Sequence, residues 1–484
     1  MEQQAQTLPK GWERARLIDV ADMIFGQSPP SETYNADGKG LPFFQGKAEF
    51  GAVYPTARVW CTEPTRVAEK DDVLISVRAP VGPTNLAPSK CAIGRGLAAI
   101  RTRIERGFIQ YYLKLIQNEL AGKGTGTTFS AITKNILQNQ QIVIAPFNEQ
   151  KRIVDKIETL FSDLDKGEEN LRTAQRLIAS YRQSVLKAAV TGELTRDWRE
   201  ANKHRLEPGD KLLRRILQTR REQWKGRGKY EEPPVPNTAM LPKLPDEWVW
   251  TTIEQLFNVY VGSTPSRKEA AYWNGNIPWV SSGEVAFCRI KDTKEKITQE
   301  GYDNSSVKLH PKGTVLLAMI GEGKTRGQAA ILDIEACHNQ NAASIRVSET
   351  EIPPEYIYYL LLHNYEKNRL VGQGGNQPAL NGLKVKKFTV PLPPLEEIQE
   401  IVSRVEDIFS QIAALEAWCE TELTRSATLR QAILKSAFSG QLVPQDASDE
   451  PASELLKRIQ AERASTPKAK PAAKRGRPGK RRAA

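Results

Sequence analysis

Few residues have the types and spacing that chemistry requires. Gly321-Glu322-Gly323-Lys324-Thr325 follows an apolar stretch and has the composition of a phosphate-binding loop, in which backbone amides cradle phosphate and the lysine reaches it. Ala318, however, stands where the first glycine belongs, and the matching stretch of the first half, Arg78-Ala79-Pro80-Val81-Gly82, lacks Gly-Lys-Thr. A turn between strands is expected, and a nucleotide-hydrolysing reading rests on Lys324 alone. Asp246 with Asp292-Thr293-Lys294 offers the carboxylates and lysine of a metal-dependent nuclease, yet Asp246 aligns with Lys10 inside a repeated Leu-Pro-x-x-Trp element. Adenine methylation needs an Asn/Asp-Pro-Pro-Tyr/Phe loop to hold a flipped base, whereas the Pro-Pro pairs here follow Ser28, Glu232, Ile352 and Leu392. Cys61, Cys91, Cys288, Cys337 and Cys419 are widely spaced with no Cys-x-x-Cys, and four histidines show no metal-ligand spacing, which argues against disulfides and zinc. The chain is expected to catalyse nothing by itself, with no metal or cofactor of its own.

The elements that would position functional side chains occur twice. Leu8-Pro9 with Trp12, Gly26 with Pro29, and Leu41-Pro42-Phe43 return at offset 236 as Leu244-Pro245 with Trp248, Gly262 with Pro265, and Ile277-Pro278-Trp279. At offset 248, Pro146, Glu149, Ile153-Val154 and Phe161 return as Pro394, Glu397, Ile401-Val402 and Phe409, and the run from Arg182 to Leu194 returns from Arg430 to Leu442. Pro208 to Ile216 is echoed by Pro451 to Ile459. A unit this long is far beyond a solenoid repeat, so a duplicated domain pair with pseudo-two-fold potential is expected.

At 484 residues and 39% hydrophobic content the chain is long enough for roughly three domains. No apolar run approaches the ~20 residues of a bilayer span, and the start does not read as a signal peptide, so a cytoplasmic protein is expected. Of the net charge of +12, eight positive charges sit in residues 465–484, which hold no acid. The mildly basic remainder points to nucleic-acid contact through local patches, with the tail adding sequence-independent attraction to phosphate.

The expected fold class is α/β (α+β), with two globular domains separated by two long helices packed as an antiparallel coiled coil. Residues 1–147 form the first domain. Short apolar stretches such as Val73–Val77 and Gln141–Ile144 read as strands, and Phe108 to Leu120 as helix. Residues 148–228 form a helical spacer, in which Ile153, Ile157, Leu160, Leu164, Leu171, Ala174, Ile178, Tyr181, Val185 and Ala188 make a coiled-coil stripe. A helix from about 150 to 190 would run ~60 Å. Residues 229–243 are a proline-rich linker. The second domain spans 244–394, with Val315–Ile320 and Lys387–Val390 as strands. Residues 395–464 form the second spacer, whose stripe of Ile401, Val405, Ile408, Ile412, Leu415, Cys419, Leu429 and Ile433 is interrupted by Glu422 and Ser426. Gly192 and Gly440 read as helix stops, followed by short helices from Asp210 to Trp224 and Ser453 to Arg463, each opened by a capping residue. Residues 465–484 are expected to be disordered.

The repeated Arg-Gln-Ser/Ala-Val/Ile-Leu-Lys-x-Ala-x-x-Gly-x-Leu element, with its Pro-x-x-Glu helix start and Leu-Pro-x-x-Trp domain start, resembles the specificity subunit of type I restriction-modification enzymes from residue 8 to about 464. The resemblance implies two target recognition domains that read the halves of a bipartite, asymmetric DNA target, with helical spacers that fix the gap. It implies double-stranded DNA, two methyltransferase subunits and restriction/translocase subunits as partners of one copy of this chain. S-adenosylmethionine, ATP and magnesium would belong to those partners. A free-standing DNA-binding regulator with two reading heads is the alternative.

Recognition positions should differ between repeats where scaffold positions match. That logic selects Gln27, Ser28, Lys47, Arg78, Asn85, Lys123, Thr125 and Thr127 in the first domain. In the second it selects Ser263, Thr264, Ser282, Lys324, Arg326, Gln373 and Asn376, several of them side chains able to pair with base edges. Arg475 and Arg477 in Arg-Gly-Arg-Pro have the pattern of a minor-groove arm or of a non-specific polycation. On the long helices Val185, Leu186, Ile433 and Leu434 read as core. Arg182, Lys187, Arg430 and Lys435 read either as a solvated face or, by resemblance, as part of the methyltransferase docking surface.

Overall fold

The computed structural model describes residues 8–124, 131–224, 228–321, 323–370 and 380–465. The chain divides into two compact units, one of Met1–Leu171 with Thr421–Ala484, the other of Arg172–Glu420. Each unit therefore joins one globular domain to helix from both spacers.

In the first unit Ala21–Phe25, Leu97–Thr102, Val73–Ser76 and Thr84–Leu86 form an antiparallel four-stranded sheet in that order. All of Val73–Ser76 is buried, which is why it reads as a continuous apolar run rather than an alternating one. Val77 lies just past the strand. A second sheet runs Tyr34–Asn35, Trp60–Cys61, Leu41–Phe44, Cys91–Ile93, Val67–Ala68, with Leu41–Phe44 parallel to Cys91–Ile93. Glu13–Arg16 pairs with Gln141–Ile144, clasping the domain's two ends together. The helix expected from Phe108 to Leu120 is two, Arg106–Leu115 and Gln117–Gly122, broken at Ile116.

The second unit repeats this plan. Its five-stranded sheet runs Val259–Val261, Ala342–Ile345, Val315–Ala318, Ala329–Leu332, Cys288–Ile290. In its three-stranded sheet Trp273–Val280 lies parallel to Cys337–His338, and Val249–Thr252 pairs with Thr389–Leu392. The last strand is shifted two residues toward the C-terminus from the expected Lys387–Val390, because Lys387 caps a short helix, Gly382–Lys386.

The long helices are Phe147–Thr191 and Leu395–Phe438. Inside the first unit Glu168 accepts from Ser426 at 2.7 Å and, with Asp165, pairs with Arg430, whose guanidinium lies 5.1 Å from the Phe161 ring. Inside the second unit Arg182 pairs with Glu416 at 3.0 Å while Thr195 meets Glu397. Residue numbers rise on one helix as they fall on the other, so within each unit the packing is antiparallel. Ser426, an apparent break in the stripe, is buried in the seam because Glu168 satisfies its hydroxyl.

Each domain is closed by the end of the other repeat's helix. Leu434, Ala437 and Phe438, with Ala452, Leu455 and Ile459 of the helix Ala452–Ser465, belong to the first domain's core, where Phe438 meets Phe108 and Tyr112 edge-on at 4.9 and 5.0 Å. Val185, Leu186, Ala189 and Val190, with Leu212 and Ile216 of Gly209–Glu222, do the same in the second. The short helices start one residue before the expected caps Asp210 and Ser453. Their first amides are instead taken by backbone, Gly209 N–H to Glu247 O and Ala452 N–H to Gly11 O, both 2.8 Å. Gly192 and Gly440 stop the long helices at φ of +78° and +73°.

The repeated Leu-Pro-x-x-Trp and Pro-x-x-Glu elements are two halves of one lock. Trp12 Nε1–H donates to Glu149 at 3.0 Å, and Trp248 Nε1–H to Glu397 at 2.9 Å, so each domain's first tryptophan is tied to the start of its own long helix. The surroundings differ. Glu397 also accepts from Thr195 at 2.7 Å and from Arg199 at 2.6 Å, whereas Glu149 Oε1 is buried with no hydrogen-bond partner among the described residues. Burial pushes the Glu149 carboxyl above its ordinary range, against the opposing Trp12 bond and nearby Arg152.

A candidate nucleic-acid interface

Three loops converge at one edge of each domain. In the first, Gly26 N–H donates to Leu97 O at 2.9 Å, Gln27 N–H to Ile93 O at 3.1 Å, and Gly94 N–H to Phe44 O at 2.8 Å, binding loops 26–28, 45–47 and 94–96 together. Val77 N–H to Gly96 O brings Arg78 alongside. A Cβ on Gly26 would stand 2.1 Å from Gly94 O, so the approach requires glycine. The second domain repeats it with Ser263 N–H to His338 O, Asn339 N–H to Val280 O and Met319 N–H to Asn341 O, at 3.0, 3.0 and 2.8 Å.

Backbone pairing makes these edges rigid, while their side chains differ between domains. Gln27, Lys47 and Arg78 are exposed in the first domain, with Ser28 partly so. Ser263 backs onto the Trp279 indole, Thr264 Oγ1–H donates to Gln340, and Ser282 opens the turn Ser282–Glu284. Lys123 is tied to Glu119 and Gln140 rather than extended. Thr125, Thr127, Gln373, Asn376, Arg475 and Arg477 lie outside the described residues.

Two candidates are corrected. Asn85 is 1% exposed on the strand Thr84–Leu86, where its amide donates to Gly51 O at 2.8 Å. Reaching a base would strand that carbonyl, so Asn85 holds the fold. Arg326 is buried, 7% exposed, and offers no guanidinium to a groove. Gly321 and the residues from Gly323 to Arg326 lie between antiparallel strands Val315–Ala318 and Ala329–Leu332, braced by Tyr365 and Arg369 bonds to the carbonyls of Lys324 and Gly323. The residues after it form a strand, without the helix N-terminus that phosphate cradling uses. Among the described residues no cluster of His, Cys, Asp and Glu could hold a metal, and no helix is long and apolar enough to cross a membrane.

Arg95 and Gln340 went unnoticed in the sequence. The hydrogen-bond pattern equates Gly94-Arg95-Gly96 with Asn339-Gln340-Asn341, a register between the two offsets that the matching motifs show. Their only signal was small or polar residues flanking one long polar side chain.

On the helices, Arg182 and Arg430 are engaged within the pair, by Glu416 and by Asp165 with Glu168, whereas Lys187 and Lys435 are exposed. Tyr181 and Leu415, both on the stripe, are 53% and 51% exposed, and Leu177 and Trp418 are exposed beside them. Two rods cover only one side of each other, so the middle of this pair keeps apolar surface. A cavity of about 220 Å³ there is lined by Leu177, Ile178, Tyr181, Ile408, Ile412 and Leu415.

The family model for the type I restriction modification DNA specificity domain matches twice, over residues 9–172 and 245–425. The chain belongs to that family. The EcoDI type I restriction enzyme specificity subunit of Escherichia coli is 22% identical over 473 residues, covering 96% of this chain and 97% of that one. Among solved structures, one described under complex assembly and conformational transition of the type I R-M system covers 90% of this chain and 99% of its own, at TM-score 0.66 and 18% identity. The HsdS subunit of Thermoanaerobacter tengcongensis has the same coverages at TM-score 0.56 and 20% identity. Both matches of the specificity-domain family begin at the proline of a Leu-Pro-x-x-Trp element, take in its tryptophan and run into a long helix, which are the parts each lock joins.

Proposed function

We infer that this chain is the DNA sequence-specificity subunit of a type I restriction-modification complex. Each domain reads one half of a bipartite, asymmetric target, and the long helices set the gap. The observation that carries the reading is the twice-built edge of convergent loops, alike in backbone pairing and unlike in side chains. A rigid edge with variable polar side chains suits base readout in a groove, since scaffold and specificity are then separate.

The chain acts without catalysis of its own. Adenine methylation, with S-adenosylmethionine, belongs to two methyltransferase subunits, and ATP-driven translocation and cleavage with magnesium to restriction subunits, around one copy of this chain in the cytoplasm. The exposed apolar stretch of Leu177, Tyr181, Leu415 and Trp418, with Lys187 nearby in sequence, supports docking of a partner on the helix pair. Exchanging residues 8–147 for the recognition domain of another family member and mapping methyl-adenine across the host genome tests the reading. One half-site is expected to change and the other to persist. Change in both halves, or purification without any methyltransferase, would refute it.

A further inference from the structure

We propose that Arg95 and Gln340 are equivalent base-reading residues, Arg95 for a guanine in the half-site met by the first domain and Gln340 for an adenine in the half-site met by the second. The assignment rests on the DNA-reading function proposed above and names where that reading takes place.

Both residues are exposed at the middle of the same backbone turn. Around Arg95, Gly94 N–H is held by Phe44 O and Gly96 O by Val77 N–H, at 2.8 and 2.9 Å. The flanking glycines are pressed against Phe43 and Gln45, where a Cβ on Gly96 would come within 2.2 Å of Gln45 O, so Arg95 projects from a tightly anchored frame. Arg101, Arg103 and Arg106 of the same domain are each paired with an aspartate, whereas Arg95 has no ion pair among the described residues. A cation left unpaired on a fixed backbone is ready to make the two parallel N–H bonds that guanine O6 and N7 accept.

The second domain holds its reader differently. Asn339 is buried and its side chain accepts from Asn341 N–H at 3.1 Å, which shapes the turn. Thr264 Oγ1–H donates to Gln340 Oε1. That bond restrains the amide while leaving its N–H2 group and the second lone pair of Oε1, the donor and acceptor that adenine N7 and N6 require. Thr264 is thereby a positioning residue. Its counterpart Ser28 carries a hydroxyl at the same offset of 236.

The test uses the full chain, purified together with any methyltransferase subunits bound to it, and duplex pools randomised across the target, sequenced after binding. Arg95→Ala is expected to erase the preference at a single base pair of one half-site, weakening binding to the guanine-containing duplex roughly 5- to 150-fold. The other half-site and the salt dependence stay unchanged. Gln340→Ala does the same for one base pair of the other half-site. Arg95→Gln shifts that preference from guanine to adenine. Uniform weakening on all sequences with a shallower salt slope means a phosphate contact and overturns the assignment, as does guanine preference retained in Arg95→Gln. Selectivity that survives both alanine variants overturns the assignment alone. A native complex without sequence preference overturns the DNA-reading function together with it. Unchanged melting temperatures, expected for two exposed side chains, separate each result from misfolding.

Discussion

Glu149 and Glu397 occupy equivalent places in the repeat, yet alanine at Glu397 is expected to destabilise the protein far more than alanine at Glu149. Glu397 is fully buried and gathers Trp248, Thr195 and Arg199, the last with a side chain only 11% exposed. Removing the carboxylate leaves a buried guanidinium uncompensated, which costs ~3–5 kcal/mol. The indole N–H and the threonine hydroxyl lose their acceptor too, for a total on the order of 5 kcal/mol. At ~2–4 °C per kcal/mol for a unit of this size, the melting temperature should fall by about 10–20 °C. Glu149 holds one donor, Trp12, and its other oxygen is a buried acceptor without a partner among the described residues. Glu149→Ala gives up one bond but relieves that burial, for a net cost of about 1 kcal/mol. The sign with pH follows. Because the folded carboxyl titrates above its ordinary value of 4.5, stability is full below that value and declines as pH rises toward the folded one. Glu149→Ala should flatten this part of the pH profile. Differential scanning calorimetry of the full chain from pH 4 to 8 measures both effects. Melting temperatures for the two variants within a few degrees of each other would refute the account of the locks.

Two further outcomes are expected. In the second domain Arg346 Nε–H donates into His310 Nδ1 at 3.2 Å, and His338 stacks 4.9 Å from His310. Burial, helped for His310 by His338, Arg346 and Lys308, pulls the two imidazoles down to about 3 and about 4. Stability from keeping them neutral is full above ~6.5 and is lost as pH falls toward 3–4, because the unfolded chain takes up protons first; His310→Gln with His338→Gln should lower the acid-side slope of melting temperature against pH, and an unchanged slope would count against it. Phe438→Ala removes a side chain 7% exposed that meets Phe108 and Tyr112, so a loss of ~3–5 kcal/mol is expected by urea unfolding. A loss under 1 kcal/mol would mean that this helix end does not close the first domain.

Much of the architecture was legible because duplication writes each element twice. Gly26 and Gly262, the strands Val73–Ser76 and Val315–Ala318 inside the expected runs Val73–Val77 and Val315–Ile320, and the glycine stops at 192 and 440 are local requirements, satisfied by residue type and spacing alone. The heptad stripe likewise specifies which helix face is apolar, since helical period is a local property. What that face meets is not local. Tyr181 and Leu415 lie on the stripe yet stay half exposed, and Ser426 breaks the stripe yet is buried, because coverage depends on where the antiparallel partner runs.

Candidate readers divide in the same way. Divergence between repeats pointed to Gln27, Lys47 and Arg78, which the fold leaves at the convergent edge. It pointed equally to Asn85, whose amide is buried against Gly51 O, because residue type carries no record of burial. Arg95 and Gln340 share no residue identity and sit in a register of their own, and only the paired backbone brings them into correspondence. Trp12 and Glu149, 137 residues apart, read as two separate motifs. By itself the sequence determined a duplicated pair of mixed domains, each with a long helix and without a recognisable catalytic constellation. Only the tertiary structure decided which distant residues close each lock, which helix end completes each core and which polar side chains remain free to face a ligand. Those outcomes depend on burial and long-range pairing, and no short-range pattern encodes either.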